Sequence, residues 1–235
     1  MSEDRHPQTG QPVGEPVDGP PAQRPGQVTL TGRYGRLEKL SPAHAAPLWE
    51  AVQGHDRIWT YMPSSGPYAD AGAFSALIEA RVTQDDPYFY AIVDSAGHAV
   101  GMIALTNIQP AHRAIEVAHV LYAPTMQRTP LATEAQYLLA RYAFETLGYR
   151  RYEWKCDALN APSRRAALRY GFSFEGIFRQ HMIAKGRNRD TAWYAMLDIE
   201  WSQRKANFER WLAPENFSAD GRQMTSLSAL NGATE

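Results

Sequence analysis

Apolar and polar positions along this 235-residue chain follow two periods, and each change of period marks an element. Residues 28–40, VTLTGRYGRLEKL, read as a strand with Leu37 and Leu40 near its end. At Ser41 the pattern turns helical. SPAHAAPLWEAVQ opens on a capping residue, with Pro42 at the first helical position, where its missing N–H does no harm. A second helix, DAGAFSALIEARV, gathers Phe74, Leu77, Ile78 and Val82 on one face. Three strands follow, YFYAIVD, AVGMIALTNIQ and AIEVAHVLY, the first two joined by the turn-like Ser95-Ala96-Gly97-His98.

In LATEAQYLLARYAFETLG, Leu131, Ala135, Leu138, Leu139 and Tyr142 keep helical spacing up to a natural stop at Gly148. RRYEWKCD is a strand, APSRRAALRYG a short helix, and FSFEGIFRQHMI with RDTAWYAMLDIEW a final strand pair. The order β-α-α-β-β-β-α-β-α-β-β predicts a mixed α/β domain. Its central strands can form an antiparallel meander, and the helix at 131–147 allows parallel pairing across it. Residues 1–27 are rich in Pro, Gly and Gln and predict a mobile tail. One domain is expected over 28–213, and 214–235 form a second polar tail.

Composition narrows the function classes. A formal net charge of −1 gives no reason to expect nucleic acid as a partner. The single Cys156 excludes an intramolecular disulfide framework and a Cys-rich zinc site, so no metal is expected. No apolar stretch reaches the roughly 18 residues of a membrane span, and the N-terminus lacks a signal-peptide core. A cytoplasmic protein is the expectation.

The stretch QRTPLATEAQ, residues 127–136, raises the chemical question. A helix N-terminus offers unpaired N–H groups and the positive end of a dipole, which together favour a phosphate. Thr129 and Pro130 form a cap-and-first-residue pair, Leu131, Ala132 and Thr133 still carry N–H donors, and Arg128 adds charge. On these residues alone, an ordinary well-capped helix is the better explanation, since such caps are common.

The spaced motifs resemble those of the GNAT superfamily of acyl-CoA-dependent N-acyltransferases, in particular the branch containing the ribosomal-protein alanine N-acetyltransferases. That family follows a strand-ending proline with Gln/Arg-Gly-x-Gly-x-Gly/Ala around the coenzyme A pyrophosphate, then Thr-Glu-Ala. Here stand Pro124, Gln127-Arg128-Thr129-Pro130-Leu131-Ala132 and Thr133-Glu134-Ala135. FETLGYRRYEWKCDALNAPSRRAALRYGFSFEG (144–176) resembles the family's helix end, fifth strand, Asn-x-x-Ser step and Gly-Phe-x-x-Glu-Gly turn; KGRNRDTAWYAM resembles its last hairpin. The resemblance covers residues 30–202. It implies a mostly antiparallel sheet flanked by helices on both faces, and acetyl-CoA as acyl donor. Both loop glycines are replaced, by Arg128 and Pro130. Either Arg128 substitutes charge for a lost backbone contact, or the cradle is impaired and the fold serves as a binding module. Retained binding is the expectation, since Gln127, Ala132, Thr133, Asn160 and Ser163 keep the family's places.

The resemblance further implies roles. Main-chain atoms of Val120, Leu121 and Tyr122 would hold the pantetheine and thioester, with Asn160 on its amide. Glu116 would act as base, Glu175 as a second carboxylate and Ser163 as the acid for the departing thiolate. For each, a purely structural reading stays open: an ion-paired strand Glu, a turn residue, a helix cap. His119 reads more readily as packed or exposed than as catalytic, and a nucleophilic Cys156 is not expected. Ala167 stands where many relatives carry a tyrosine, and Tyr170 is expected on another helix face. Arg164 and Arg165 are candidates for the 3′-phosphate side. Trp59, Tyr61, Met62 and Tyr68 in one loop suggest an apolar acceptor pocket or a core seal. His181, Arg187 and Arg189 stand near the mouth, suited to a carboxylate or phosphate. The acceptor implied is a primary amine of a small molecule or a peptide N-terminus, and a homodimer is compatible with the sequence.

Overall fold

The computed structural model describes residues 4–232. Its strands, in chain order, are a small hairpin, β1 (Asp4–Arg5) and β2 (Pro12–Val13), then β3 (Leu30–Thr31), β4 (Gly35–Lys39), β5 (Tyr88–Asp94), β6 (Ala99–Gln109), β7 (Ala114–Tyr122), β8 (Arg151–Asp157), β9 (Ser173–Ala184) and β10 (Arg187–Leu197). The helices are α1 (Ala45–Val52), α2 (Ala71–Val82), α3 (Pro130–Arg141), α4 (Ala161–Arg169), α5 (Asp198–Leu212) and the short α6 (Leu227–Leu230). Strands β3 to β10 form one sheet in the order β3-β4-β5-β6-β7-β8-β10-β9. Every neighbouring pair in it is antiparallel except β7 and β8, which run parallel, the pairing that the intervening helix allows.

Helices cover both faces, so the central strands are buried on both sides. In β5, Tyr88, Tyr90 and Ile92 enter the core beneath α3 and α5, while Phe89, Ala91 and Val93 enter the core beneath α1 and α2. A strand with two buried faces needs an unbroken apolar run, and YFYAIVD supplies it. Glu134 locks α3 to the β3–β4 turn: its carboxylate accepts the N–H groups of Arg33, Tyr34 and Gly35 at 2.6, 2.7 and 3.1 Å. The turn can approach this closely because residue 32 is glycine; a Cβ there would sit 2.2 Å from the Glu134 carboxyl carbon. Glu134 of the Thr-Glu-Ala motif is therefore a fold residue.

The site depends on how β7 leaves β8. Their ladder runs only from Ala114↔Arg151 to Val117↔Trp154. On the other edge of β7, Met102 and Ala104 of β6 face Leu121 and Ala118, so β7 carries an extra residue. That bulge coincides with His119 at φ 51°, a left-handed conformation. A bulge bends its strand, and beyond it residues 118–122 have no β8 partner. The sheet opens there into a wedge.

Three regions differ from the sequence-based expectation. Residues LDIEWSQRKANFERWL continue past β10 into α5, with Trp201, Phe208, Trp211 and Leu212 buried. Reading RDTAWYAMLDIEW as pure strand stopped short of this change of period. The helix starts where the Glu200 carboxylate accepts the Leu197 N–H at 2.8 Å. The N-terminal segment, expected to be a mobile tail, is held over residues 18–26. Ala22 N–H donates to Pro110 O at 3.0 Å, Gln23 N–H to Leu147 O at 2.8 Å and Gly26 N–H to the Tyr142 hydroxyl at 3.0 Å. Main-chain bonds of this kind carry no signature in side-chain composition. The C-terminal segment likewise folds back on α5 through Asn216, whose side chain bonds Trp211 O and both backbone groups of Thr225, and through the fully buried Leu227.

Candidate active site

The wedge between β7 and β8 widens into a cleft of about 1720 Å³ that runs from the start of α3 to the β9–β10 hairpin. Drug-sized ligands occupy pockets of roughly 300–1,000 Å³, so the cleft has room for an elongated ligand and a second molecule. Among the described residues there is no cluster of three or more potential metal ligands. No helix among them is long and apolar enough to cross a membrane.

At one end lies the turn between β7 and α3. Met126 N–H and Gln127 N–H both donate to Ala123 O, at 2.9 and 3.2 Å, and Thr129 N–H donates to Met126 O at 3.3 Å. Arg128 takes φ 63°, a conformation glycine adopts freely and other residues at some cost. Thr129 caps α3: its hydroxyl donates to Met126 O at 2.7 Å and accepts Ala132 N–H at 3.4 Å. Ala132 N–H is thus already engaged. Leu131 N–H has no helical acceptor, and Pro130 has no N–H to leave unpaired. The Arg128 side chain is exposed, lines the cleft and has no ion-pair partner within 4.0 Å among the described residues. Gln127 Nε2 donates to Tyr122 O at 3.2 Å, and the Tyr122 hydroxyl bridges Ala132 O and Gln136, fixing the turn to the last residue of β7.

Opposite β7 stands the first turn of α4. Asn160 is its N-cap, accepting Ser163 N–H at 3.2 Å. The Ser163 hydroxyl accepts the Trp154 indole N–H at 3.1 Å and points its own hydrogen toward the Cys156 sulfur. The helix cap is therefore Asn160, and Ser163 is the third residue of α4. Cys156 lies beside it, buried, and burial pushes its thiol up, away from a reactive thiolate.

The centre of the cleft holds Glu116, 6% exposed. Its carboxylate pairs with Lys155 Nζ at 2.7 Å and accepts from the Asn107 amide. Burial raises its pKa; Lys155 and Asn107 pull the other way without cancelling the rise. The parallel register sets Glu116 opposite Glu153, so Lys155, two residues on, projects from the same face of β8. Lys155 Nζ also lies 3.9 Å from the centroid of the Trp193 ring. His119 is pushed down to about 4 by burial and, secondarily, by the Arg81 guanidinium, so it is neutral at neutral pH.

Of the residues singled out from sequence, Glu116, Val120, Leu121, Tyr122, Gln127, Arg128, Ala132, Asn160, Ser163 and Tyr61 line the cleft. So do Arg165, His181 and Arg189, whereas Arg164 turns away to the Tyr194 hydroxyl. The side chains of Thr129, Leu131 and Thr133 are turned to other tasks: Thr129 caps α3, Leu131 packs into the core and Thr133 accepts from Arg169. Tyr61 reaches across, its hydroxyl donating to Leu159 O at 3.3 Å. Trp59 and Tyr68 lie outside the cleft wall; they meet each other edge-on at 5.3 Å between ring centroids and the α2 residue Phe74 at 6.3 and 5.7 Å, sealing the core. Glu175 is also outside it. Its carboxylate is gripped by both terminal nitrogens of Arg151, which holds its pKa down. Tyr170 lines the cleft after all. Sequence reasoning passed over Lys155, Asn107, Trp193 and Arg169. Only the alternation of Glu153 and Lys155 on β8 hinted at the first. Arg169 lines the cleft near the start of α3, donating to the Thr133 hydroxyl at 3.1 Å.

Comparison with known proteins agrees with this geometry. The acetyltransferase (GNAT) domain family matches residues 36–173, more than half of the chain. A GCN5-related N-acetyltransferase from Brucella melitensis is 43% identical, with a TM-score of 0.89 over 92% of this chain and 99% of that one. A probable GNAT-family acetyltransferase from Chromobacterium violaceum is 39% identical, TM-score 0.76, over 84% of this chain and 100% of that one. A Bacillus subtilis (strain 168) protein named provisionally as a ribosomal N-acetyltransferase, YdaF, is 31% identical over 109 residues, 46% of this chain and 59% of its own length. The chain thus spans about three-fifths of that curated relative. With a wedge between parallel strands, a capped helix turn facing it and a family match over most of the domain, the chain belongs to the GNAT acetyltransferase family.

Proposed function

We propose that the protein transfers an acetyl group from acetyl-CoA to a primary amine of a small molecule or a peptide N-terminus, by direct transfer within a ternary complex. The observation that carries this reading is the continuity of one cleft from an unpartnered arginine at a helix N-terminus to a buried carboxylate with a raised pKa. In it, Arg128 and Leu131 N–H receive the pyrophosphate. Charge-assisted contact from Arg128 offsets the donor that Pro130 lacks. The edge of β7 at Val120–Tyr122, free of a β8 partner, lies along the pantetheine, and Asn160 faces it from α4.

The chemistry requires an N–C bond to form at the acyl carbon as the C–S bond breaks, one proton leaving the amine and one reaching the thiolate. Glu116 accepts the amine proton directly or through water, its basicity tuned by burial against Lys155. Ser163 donates its hydroxyl hydrogen to the thiolate, turning it from Cys156, while Trp154 keeps its oxygen in place. Glu175, held by Arg151 outside the cleft, has no role in this scheme. The alternative of a fold kept for binding alone gains no support from the family match. The same proposal places the protein in the cytoplasm. A homodimer fits it too: β9 is an unpaired edge strand with Phe174, Ile177 and Phe178 exposed.

The test is calorimetric titration with acetyl-CoA, followed by an amine-library screen for released thiol. Saturable binding with amine-dependent thiol release is expected. A folded protein that neither binds acetyl-CoA nor releases thiol with any amine contradicts the proposal.

A further inference from the structure

The acceptor end of the cleft contains a buried cation that no described residue neutralises. Arg189, on β10, is 9% exposed, and its side chain lines the cleft. Its Nε is buried without a hydrogen-bond partner, and among the described residues no carboxylate lies within 4.0 Å of its guanidinium. The acidic groups nearest in the ladder are engaged elsewhere. Asp157 accepts Leu159 N–H at 2.8 Å. Asp190 accepts Gln180 N–H at 2.7 Å and the Asn188 amide at 3.0 Å. A guanidinium keeps its charge at any working pH, so it cannot escape burial by losing its proton. Buried charges are normally paired, and an unpaired one opening on a binding cleft calls for an anion from outside.

The strand around it is shaped to present this group. Between Arg189↔Met182 and Thr191↔Phe178 the ladder sets three intervening residues of β9 against one of β10, with Gln180 at φ 51°. This bulge brings the His181 ring onto the Thr191 hydroxyl at 2.9 Å, beside Arg189 on the cleft wall. A second unmet donor lies farther along β10: the indole N–H of Trp193 is also buried without a partner, and Trp193 lies against Lys155. Arg189 and Trp193 are four residues apart on one strand, which is roughly 13 Å at about 3.3 Å per residue.

From this geometry we infer that the acceptor is an elongated amine carrying a carboxylate or phosphate, its anionic group held by Arg189 and its amine at Glu116. Trp193 N–H meets an acceptor atom on the intervening chain. Lys155 ties Glu116 to Trp193, so the strand spacing between Trp193 and Arg189 gives room for an acceptor longer than an α-amino acid. The inference rests on the transfer reading above for the position of the amine; the anion subsite itself does not depend on it.

Two measurements test it. Crystals of the wild type soaked in selenate are expected to show an anomalous peak at the Arg189 guanidinium, absent in Arg189→Gln. A selenate peak only elsewhere, or an unchanged peak in Arg189→Gln, overturns the subsite. Thiol-release assays then compare two matched pairs, Ala-Ala-Asp-amide with Ala-Ala-Asn-amide and 6-aminohexanoate with hexylamine. For at least one pair the wild type is expected to favour the anionic member roughly tenfold or more, the range of a hydrogen bond to a charged group. That preference should collapse in Arg189→Gln and be partly kept in Arg189→Lys. The pair that shows it separates a peptide from a small-molecule acceptor. Equal loss on both members of each pair marks Arg189 as structural and overturns the inference. Failure of acetyl-CoA to bind alongside a clear selenate peak would instead remove the transfer reading and leave the subsite standing.

Discussion

At the α3 end of the cleft Arg128 stands exposed, strained and unpaired, whereas at its centre Glu116 is buried and paired with Lys155 at 2.7 Å. The first region keeps its charge in solvent and relies on main-chain geometry fixed by a helix cap. The second takes charge out of solvent and must satisfy it with neighbours. One arrangement suits holding a charged ligand by its phosphates; the other suits altering the proton affinity of a single group. Binding and chemistry should therefore separate cleanly under mutation.

The largest effect is expected at the buried carboxylate. Glu116→Gln should lower kcat by about 10²–10⁴-fold, the usual contribution of a positioned base, while leaving the acetyl-CoA Kd within about twofold. Comparable damage to both constants would break the distinction. Arg128→Gly should do the reverse. Loss of a charge-assisted contact weakens acetyl-CoA binding by roughly tenfold or more. Relief of a left-handed residue should leave thermal stability equal or higher, by up to about 1 kcal/mol. Tighter binding in the glycine variant would mean that Arg128 obstructs the turn.

A pH series sharpens the comparison further. Glu116 is active as the base only when ionised, and burial raises its pKa, so kcat/KM should rise with pH through a point above the ordinary carboxylate value. Lys155 is the largest influence holding that value down, so Lys155→Met should move the rise to higher pH. His119, pushed to about 4, is already neutral there and adds no inflection. An unmoved profile in the Lys155 variant would exclude Glu116 as the titrating group.

The smallest effect is expected outside the cleft. Glu175→Gln should leave turnover within about twofold and cost less than about 1 kcal/mol, since the Arg151 pair is partly exposed and screened by solvent. The folded-state pKa of Glu175 is lowered, so its contribution is present above the ordinary carboxylate range and is lost as pH falls through the lowered value. Urea titrations at neutral and acidic pH measure it.

Much of this was legible in the chain because local pattern and local chemistry coincide there. The two-sided burial of β5 shows as a continuous apolar run, and the Thr129-Pro130 start of α3 shows as a cap. What escaped notice depends on register. Glu175 and Glu116 look alike as strand carboxylates, and only the sheet order places one beside Arg151 and the other beside Lys155. Trp59 and Tyr68 look like cleft aromatics until α2 sets Phe74 against them. The α5 helix was missed because its first turn, Asp198–Trp201, also completes the alternation of the strand before it.

A crystal structure of the wild type with acetyl-CoA tests the division of labour most directly. The pyrophosphate is expected within hydrogen-bond reach of Leu131 N–H and the Arg128 guanidinium, with the pantetheine threading the gap between β7 and β8 toward Glu116. Density for the nucleotide elsewhere, with Arg128 and the proline ring closing an empty turn, would contradict it.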